Sequence, residues 1–433
     1  ILWGSEQPVR PTGYATVSRE VIKRLIADYD HEIFVMGWDY CGEDFKHEEG
    51  WTMIHNGMLI SGADKLTGDA DGPTAFDMQV DTIRPDVYVS LVDPWFIGNA
   101  VMSTNARNIP YIAYTPIDGW PISYQWSRIL AHLHTPLWMS EFGRKTFAEF
   151  VERYGSGGDG PDELLFADLD RFQGDAGPMI YHGVDVDVCK PISLAEKEKL
   201  RQQFNIHWDT VFLSVGRNTN RKQIPRLLDA LRIAVDKVGA DKIGLVLHCG
   251  DPMDSMGMGG WRLPDLVKDM GLAQNVVFSD TSSNPLHGMS REELARLYQL
   301  ADVHVLSTGG EGFGIPSAEA MGCGLPIILP DNSTGPELIG LDNERGWLVP
   351  CSTHMTGPKW GVNMGVVDIE ALADAMIEAH ADPKKRKVKG KAAHKWVVEN
   401  LDWNIITKQF HDLIVSRVGM THPSGPFDLE GDR

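Results

Sequence analysis

Short apolar runs alternate with amphipathic helical stretches along almost the whole chain, and this rhythm constrains the fold more than any other feature. "EIFVMGW", "DVYVSLV", "YIAYTPI", "TPLWMSE" and "PMIYHGV" read as buried strands of the first half, with "YATVSREVIKRLIADY" and "SEFGRKTFAEFVERYG" as helices between them. In the second half the strands are "VFLSVGR", "IGLVLHCG", "NVVFSD", "DVHVLST" and "PIILPD", separated by helices such as "IPRLLDALRIAVDKV" and "SREELARLYQLA". Strands spaced by helices in this way imply parallel sheets covered on both faces. At 433 residues the chain exceeds one ordinary core, so the pattern is expected twice. The strand rhythm pauses at "CKPISLAEKEKLRQQFNIHWDT". The expected organisation is an α/β domain over 1–190, a linker over 191–208 and a second α/β domain over 209–395. Residues 396–433 are expected to form a helix crossing back to the first domain, and a tail. Open sheets of this class bind ligands at the carboxyl ends of their strands, so two such domains facing each other would share one cleft.

Composition removes several function classes. No run of about 18 apolar residues occurs, so no membrane-spanning helix is expected. The stretch "ILWGSEQPVRPTGY" has no basic and then apolar region of a secretory signal. Five scattered cysteines, Cys41, Cys189, Cys249, Cys323 and Cys351, form no C-x-x-C pair. That argues against a zinc ribbon or disulfide framework and for a reducing, cytoplasmic setting. The net charge is −20, and residues 1–190 carry 14 Lys and Arg against 29 Asp and Glu. Nucleic acid is therefore a disfavoured partner, though a local basic groove is compatible with this balance. The one basic run, "KKRKVKGK" at 384–391, reads either as a solvated helix start or as a contact for phosphate or an anionic membrane. Two insertions, 154–177 (Gly/Asp-rich) and 251–264 (Gly/Met-rich), read as loops at a cleft or as surface excursions.

The chemistry concentrates at strand ends. "ADVHVLST" reads as a strand, "GGEGFG" as a turn and "IPSAEAMG" as the next helix, with Pro316 suited to its first position. Glycines at 309, 310, 312 and 314 let backbone approach a ligand closely, with free amides at a helix N-terminus. They do not form a dinucleotide fingerprint, because the third glycine position falls on Ile315 or Ser317. Glu311 lies in the turn and Glu319 is expected in the first helical turn, where a carboxylate can also simply complement the helix dipole. In "VFLSVGRNTNRKQIPRLLDAL", Arg217 and Lys222 precede a helix starting near Pro225. Two cations there make a phosphate clamp, or a pair of solvated loop charges.

Together these elements resemble the retaining glycosyltransferases of family 4 (group 1), which have the GT-B fold. The resemblance rests on the E-x7-E element "EGFGIPSAE" with "EAMGCGLPII", on "VGRNTNRKQIPRLLDA", on "IYHGVDVDVCKP" and on "PTGYATVSREVIKRL", in that family's order. It implies an α/β fold of two Rossmann-like, doubly wound parallel-sheet domains facing across a cleft. It further implies transfer of a sugar from a nucleotide-diphosphate sugar, UDP- or GDP-linked, to an acceptor hydroxyl, with retention and without a metal or cofactor. Glu319 would hold the donor ribose diol. Glu311, with the backbone of Gly312, Phe313, Gly314 and Ile315, would grip the transferred sugar. Arg217 and Lys222 would neutralise the leaving diphosphate, and Gly13 would let backbone amides of the first domain reach it.

The sequence departs from the family in places. Where many members carry a loop histidine at the reaction centre, "YTPIDGWP" offers Asp118. Gln223 follows Lys222 where glycine is frequent. "DVD" at Asp185–Asp187 superficially matches a metal-binding D-x-D but closes a domain, and His182 beside it reads as a structural loop residue. Trp95, Trp120 and Trp126 suit either acceptor stacking or packing. A glycosidase also uses two carboxylates, but hydrolysis needs no phosphate clamp. A phosphorylase on the same fold, using inorganic phosphate, and a transferase acting on a hydroxylated base in DNA remain alternatives. Glycans, lipid-linked sugars and small metabolites are the other acceptor classes, and the acceptor is expected on the first domain.

Overall fold

A computed structural model of the chain describes residues 1–38, 40, 42–55, 75–155, 169–254, 259–279, 289–357 and 361–420. Cys41 and the centres of both insertions lie outside the described residues. The chain divides into two units, the first made of Ile1–Ile117, Pro121–Gly183 and Trp403–Arg433, the second of Asp118–Trp120 and Val184–Asp402.

The first unit is built on strands β1 (Leu2–Ser5), β2 (Phe34–Gly37), β3 (Phe45–Lys46), β4 (Thr52–Ile54), β5 (Tyr88–Leu91), β6 (Tyr111–Thr115) and β7 (Thr135–Trp138). Their order in the sheet is β3-β4-β2-β1-β5-β6-β7, parallel throughout except for the antiparallel edge pair β3–β4. The helices are α1 (Gly13–Tyr29), α2 (Ala75–Ile83), α3 (Gly98–Ala106), α4 (Ser127–Ala131) and α5 (Glu141–Tyr154). In α1 the Thr12 hydroxyl caps the start by accepting from the Ala15 amide, and Asp30 ends the helix in left-handed backbone at φ 56°. Its buried face is Ala15, Val17, Val21, Ile22 and Leu25, the i, i+3, i+4 stripe of a core-facing helix. The apolar "PMIYHGV" forms no strand: Met179 bridges Trp138 of β7, Val184 bridges Asp402, and the rest is held by individual hydrogen bonds.

The second unit follows with α6 (Leu194–Gln203), β8 (Thr210–Val215), α7 (Ile224–Val238), β9 (Ile243–His248), α8 (Leu263–Asp269), β10 (Val276–Phe278), α9 (Arg291–Leu300), β11 (Val303–Val305), α10 (Ile315–Gly322), β12 (Ile327–Pro330), α11 (Gly335–Ile339) and β13 (Gly346–Val349). An antiparallel hairpin of β14 (Cys351–Thr356) and β15 (Asn363–Val367) precedes α12 (Ile369–Ala381) and α13 (Pro383–Asn400). The parallel sheet has the order β10-β9-β8-β11-β12-β13. Phe212, Leu245 and Ile328 from its strands pack with Leu228 and Leu231 of α7 and Leu372 and Met376 of α12.

The stretch read as a linker, 191–208, contains α6 and belongs to this second unit. Lys197 Nζ and Arg201 Nη2 meet the two oxygens of Asp302 at 2.8 and 2.5 Å, and Asp302 also accepts from the Val211 amide at 2.8 Å. The sequence of α6 hides this because the helix has no buried residue by which to show an apolar stripe. After α13 the chain re-enters the first unit as α14 (Trp403–Arg417), which lies on α1 and sets Phe410 against Trp3 and Tyr114 at ring-centroid distances of 6.1 and 5.1 Å.

Candidate active site

Strand order decides where the site of the second unit forms. The chain runs outward from β8 through β9 to β10, then starts again on the other side of β8 with β11. The loops leaving the carboxyl ends of β8 and β11 therefore lie side by side at a topological switch point, where open α/β sheets bind ligands. The first loop carries Arg217, Arg221 and Lys222, the second Glu311.

Lys222 Nζ donates to Glu311 Oε1 at 2.6 Å, and Arg221 Nη1 lies 3.2 Å from Glu311 Oε2. Arg221 Nε also faces Asp118 Oδ2 at 3.4 Å, and its guanidinium donates to the Gly310 carbonyl. The result is an alternating row, Asp118–Arg221–Glu311–Lys222. Burial would push the Glu311 carboxyl up, but the charges of Lys222 and Arg221 outweigh it and bring the carboxyl down to about 2. Burial likewise lowers the Lys222 ammonium from its ordinary value, with Glu311 opposing that shift. The Glu311 amide donates to Ser333 Oγ at 2.9 Å, which fixes the turn from below. Backbone contact is closest at Gly310, where a Cβ would fall 1.7 Å from the Asp118 carbonyl oxygen. Any side chain there would force the two strands of backbone apart.

Gly314 caps α10 in left-handed backbone at φ 100°. Among the described residues the amides of Gly312, Gly314 and Ile315 donate no hydrogen bond, so the turn leaves donors at the helix start. Glu319 is the fifth residue of α10, one turn beyond its expected place. A carboxylate there is past the reach of the N-terminal dipole, which removes the dipole-complementing reading. It is half-buried, and burial raises its carboxyl to about 7 against the hydrogen bond from Tyr298 Oη (2.9 Å to Oε2) and the charge of Arg291. One motif thus presents two acids in opposite states, Glu311 firmly ionised and Glu319 titrating near neutrality.

Arg217 is exposed and makes no ion pair among the described residues. Arg221, adjacent to Lys222 and not singled out from sequence, makes the contacts instead; only its neighbour in the chain hinted at it. Gln223 has φ 47°, which explains why glycine suits that position, and its Nε2 donates to the Gly365 carbonyl at 2.6 Å. Asp185 is turned to structure: its Oδ1 accepts from the Asp187 and Val188 amides, and its Oδ2 lies 3.5 Å from Arg291. Among the described residues no group of three His, Cys, Asp or Glu is arranged to hold a metal ion.

In the first unit, Gly13 opens α1 beside Thr12, whose hydroxyl donates to Glu6. His182 is buried with Nδ1 2.8 Å from Tyr114 Oη, and burial lowers it to about 3. Trp95 and Trp126 pack against each other at 5.8 Å, while the Trp120 backbone, in the second unit, pairs with Asn363.

Comparison with protein families matches residues 196–356 to glycosyl transferases group 1, a span that contains Arg217, Arg221, Lys222, Glu311 and Glu319. Residues 196–356 are a group 1 glycosyltransferase domain. A mannosyltransferase of Mycolicibacterium smegmatis, described as GDP-mannose-dependent alpha-(1-6)-phosphatidylinositol monomannoside mannosyltransferase, is 26% identical over 242 residues, 54% of this chain and 55% of the relative. A D-inositol 3-phosphate glycosyltransferase of Mycobacteroides abscessus is 28% identical over 219 residues, 50% of this chain and 43% of the relative. The chain thus spans about half the length of the curated relatives it matches. Among solved structures, sucrose-phosphate synthase of Thermosynechococcus elongatus aligns with a TM-score of 0.68 at 20% identity, over 96% of this chain and 98% of that one. Anabaena HepE, solved with UDP and glucose, gives 0.66 at 16% identity over 96% and 99%. The fold is GT-B, and the group 1 domain occupies most of its second unit.

Proposed function

We propose that the protein is a retaining glycosyltransferase that moves a sugar from a nucleotide-diphosphate sugar to an acceptor hydroxyl without a metal. The observation that carries the reading is the Glu311 carboxylate, ionised between Lys222 and Arg221 at a glycine turn that opens a helix bearing Glu319. Glu319 would accept from the ribose diol. Glu311 and the amides of Gly312, Phe313, Gly314 and Ile315 would hold the transferred sugar. Lys222, Arg221 and Arg217 would meet the diphosphate. As the bond from the anomeric carbon to the phosphate oxygen breaks, negative charge grows on that oxygen, and fixed cations stabilise it. The acceptor oxygen bonds to the same face of the anomeric carbon, and its proton passes to the leaving phosphate. Asp118, tied to Glu311 through Arg221, would orient the reacting groups from the acceptor side.

The relatives' names favour a mannosyl or similar hexosyl donor and a polyol acceptor such as an inositol, free or lipid-linked. The buried free thiols Cys189, Cys249 and Cys323 support a reducing, cytoplasmic setting. The test is a thermal-shift panel of UDP- and GDP-sugars with inorganic phosphate alongside. A true donor at 100 times its dissociation constant adds about 2.7 kcal/mol of stability. Transfer is then run in excess EDTA, and the product's anomeric coupling is read by NMR. Retained configuration with full activity is expected. Stabilisation by phosphate alone would indicate a phosphorylase, and an inverted product would remove the reading.

A further inference from the structure

The basic run that the donor site leaves unused lies in α13, and the structure sorts its charges by role. Arg386 Nη1 donates to the His380 carbonyl at 2.9 Å and to the Ala379 carbonyl, closing the end of α12. Lys389 Nζ donates to the Gly346 carbonyl at 2.8 Å and to that of Asn343, and lies 5.1 Å from the Trp347 ring centroid. Lys385 pairs with Glu378. Gly390, Ala393 and Val397 are buried, and His394 Nδ1 lies 2.7 Å from the Gly322 carbonyl at the end of α10. These contacts fix the helix by one face.

The remaining lysines all point the other way. At 3.6 residues per turn, Lys384, Lys387, Lys391 and Lys395 fall on a single stripe, and all four are exposed. Lys384, Lys387 and Lys391 make no ion pair among the described residues, and Lys395 reaches only Glu399 of the same helix, at 3.8 Å. Two valines share the stripe, Val388 at 68% exposure and Val398 at 40%. Four cations on one face of a chain of net charge −20 run against its overall balance.

We propose that this face of α13 docks on the surface of an anionic phospholipid membrane. The lysines would meet headgroup phosphates, with their aliphatic stems and the two valines entering the boundary below. Three features favour lipid over nucleic acid. The stripe contains exposed β-branched apolar residues, which a phosphate backbone does not use. It contains no arginine for bidentate phosphate contact and no aromatic ring for base stacking. A planar surface engages this one face, whereas a long polyanion would meet the acidic remainder of the chain.

The experiment is co-sedimentation of the full chain with vesicles of phosphatidylcholine alone and of phosphatidylcholine mixed with phosphatidylglycerol. Binding to the mixed vesicles at low salt and not to the neutral ones is expected. Replacing Lys384, Lys387, Lys391 and Lys395 together by Gln should weaken partitioning roughly a hundred-fold or more, since each surface lysine contributes about five-fold. Val388→Ser with Val398→Ser should weaken the binding that persists at higher salt. Should the quadruple variant fold poorly, K384E with K391E carries the same test, with circular dichroism as the folding control. Equal binding by wild type and variants, no binding to anionic vesicles, or tighter lysine-dependent binding to duplex DNA than to the vesicles would each overturn the proposal.

Discussion

Glu311 and Glu319 are the same residue type eight positions apart, yet one carboxyl is lowered to about 2 and the other raised to about 7. The difference is the neighbour, because two cations face Glu311 while a phenol hydroxyl faces Glu319. If Glu319 binds the ribose in both ground and transition states, Glu319→Ala raises KM and largely spares kcat. Donor affinity should also climb as pH rises through about 7, where the carboxylate forms, and Glu319→Gln should flatten that climb in calorimetric titrations from pH 6 to 8. A collapse of kcat at constant KM contradicts this assignment. For the cations, Lys222→Ala and Arg217→Ala should each cut kcat/KM strongly, and the double variant by less than the product of the two. Lys222→Ala carries a second cost, on the order of 3 kcal/mol in denaturant melts, because Glu311 is left buried with a single longer ion pair. Normal transfer by both single variants would show the clamp to be elsewhere. Sequence made Lys222 and Glu311 visible through glycines and strand ends. Arg221 stayed hidden because its role depends on the β8 and β11 loops lying side by side.

At the scale of elements, buried parallel strands were legible because each is a short apolar run between turns. The hairpin β14–β15 was not, since β14 ("CSTHMT") is exposed or half-exposed along its length and owes its form to the register Met355–Met364 and its neighbours. "PMIYHGV" failed in the opposite sense, with apolar residues enough for a strand but only two isolated bridges, Met179 to Trp138 and Val184 to Asp402. Helix α6 was read as a connector for lack of an apolar stripe, and its anchor is electrostatic. Burial would raise the Asp302 carboxyl, but Lys197 and Arg201 outweigh that and lower it. Asp302→Ala should therefore destabilise the protein by about 3–5 kcal/mol, the usual cost of stranding buried charge. Limited proteolysis should then cut first within Leu194–Gln203, and an unchanged melt and cleavage pattern would show that α6 is held by other means.

Taken as a whole, the molecule should lose stability on mild acidification. His182 and His304 are buried and lowered to about 3. Below about pH 6.5 the unfolded chain takes up protons that these folded sites refuse. Each contributes up to about 1.4 kcal/mol of lost stability per pH unit until the folded values are reached. Glu319 works against them, being protonated in the folded state up to about 7 while its unfolded counterpart stays ionised down to about 4.5. Glu311 keeps its full contribution above about 4.5 and loses it progressively as the pH falls from there to about 2. Two groups against one leave a net loss, so the melting temperature should fall between pH 6.5 and 5, and His304→Phe should lessen the slope. A melting temperature that is flat or rises over that interval would contradict the neutral assignment of these rings.

The division of the first unit into segments on either side of the second has a consequence for the chain as it leaves the ribosome. Phe410 of α14 closes against Trp3 and Tyr114, which are made long before it. At roughly 5–20 residues per second, translation of Val184–Asp402 imposes a wait of about ten seconds to a minute. Throughout that interval the nascent first unit presents an unfilled apolar groove, and it becomes whole only when α14 emerges.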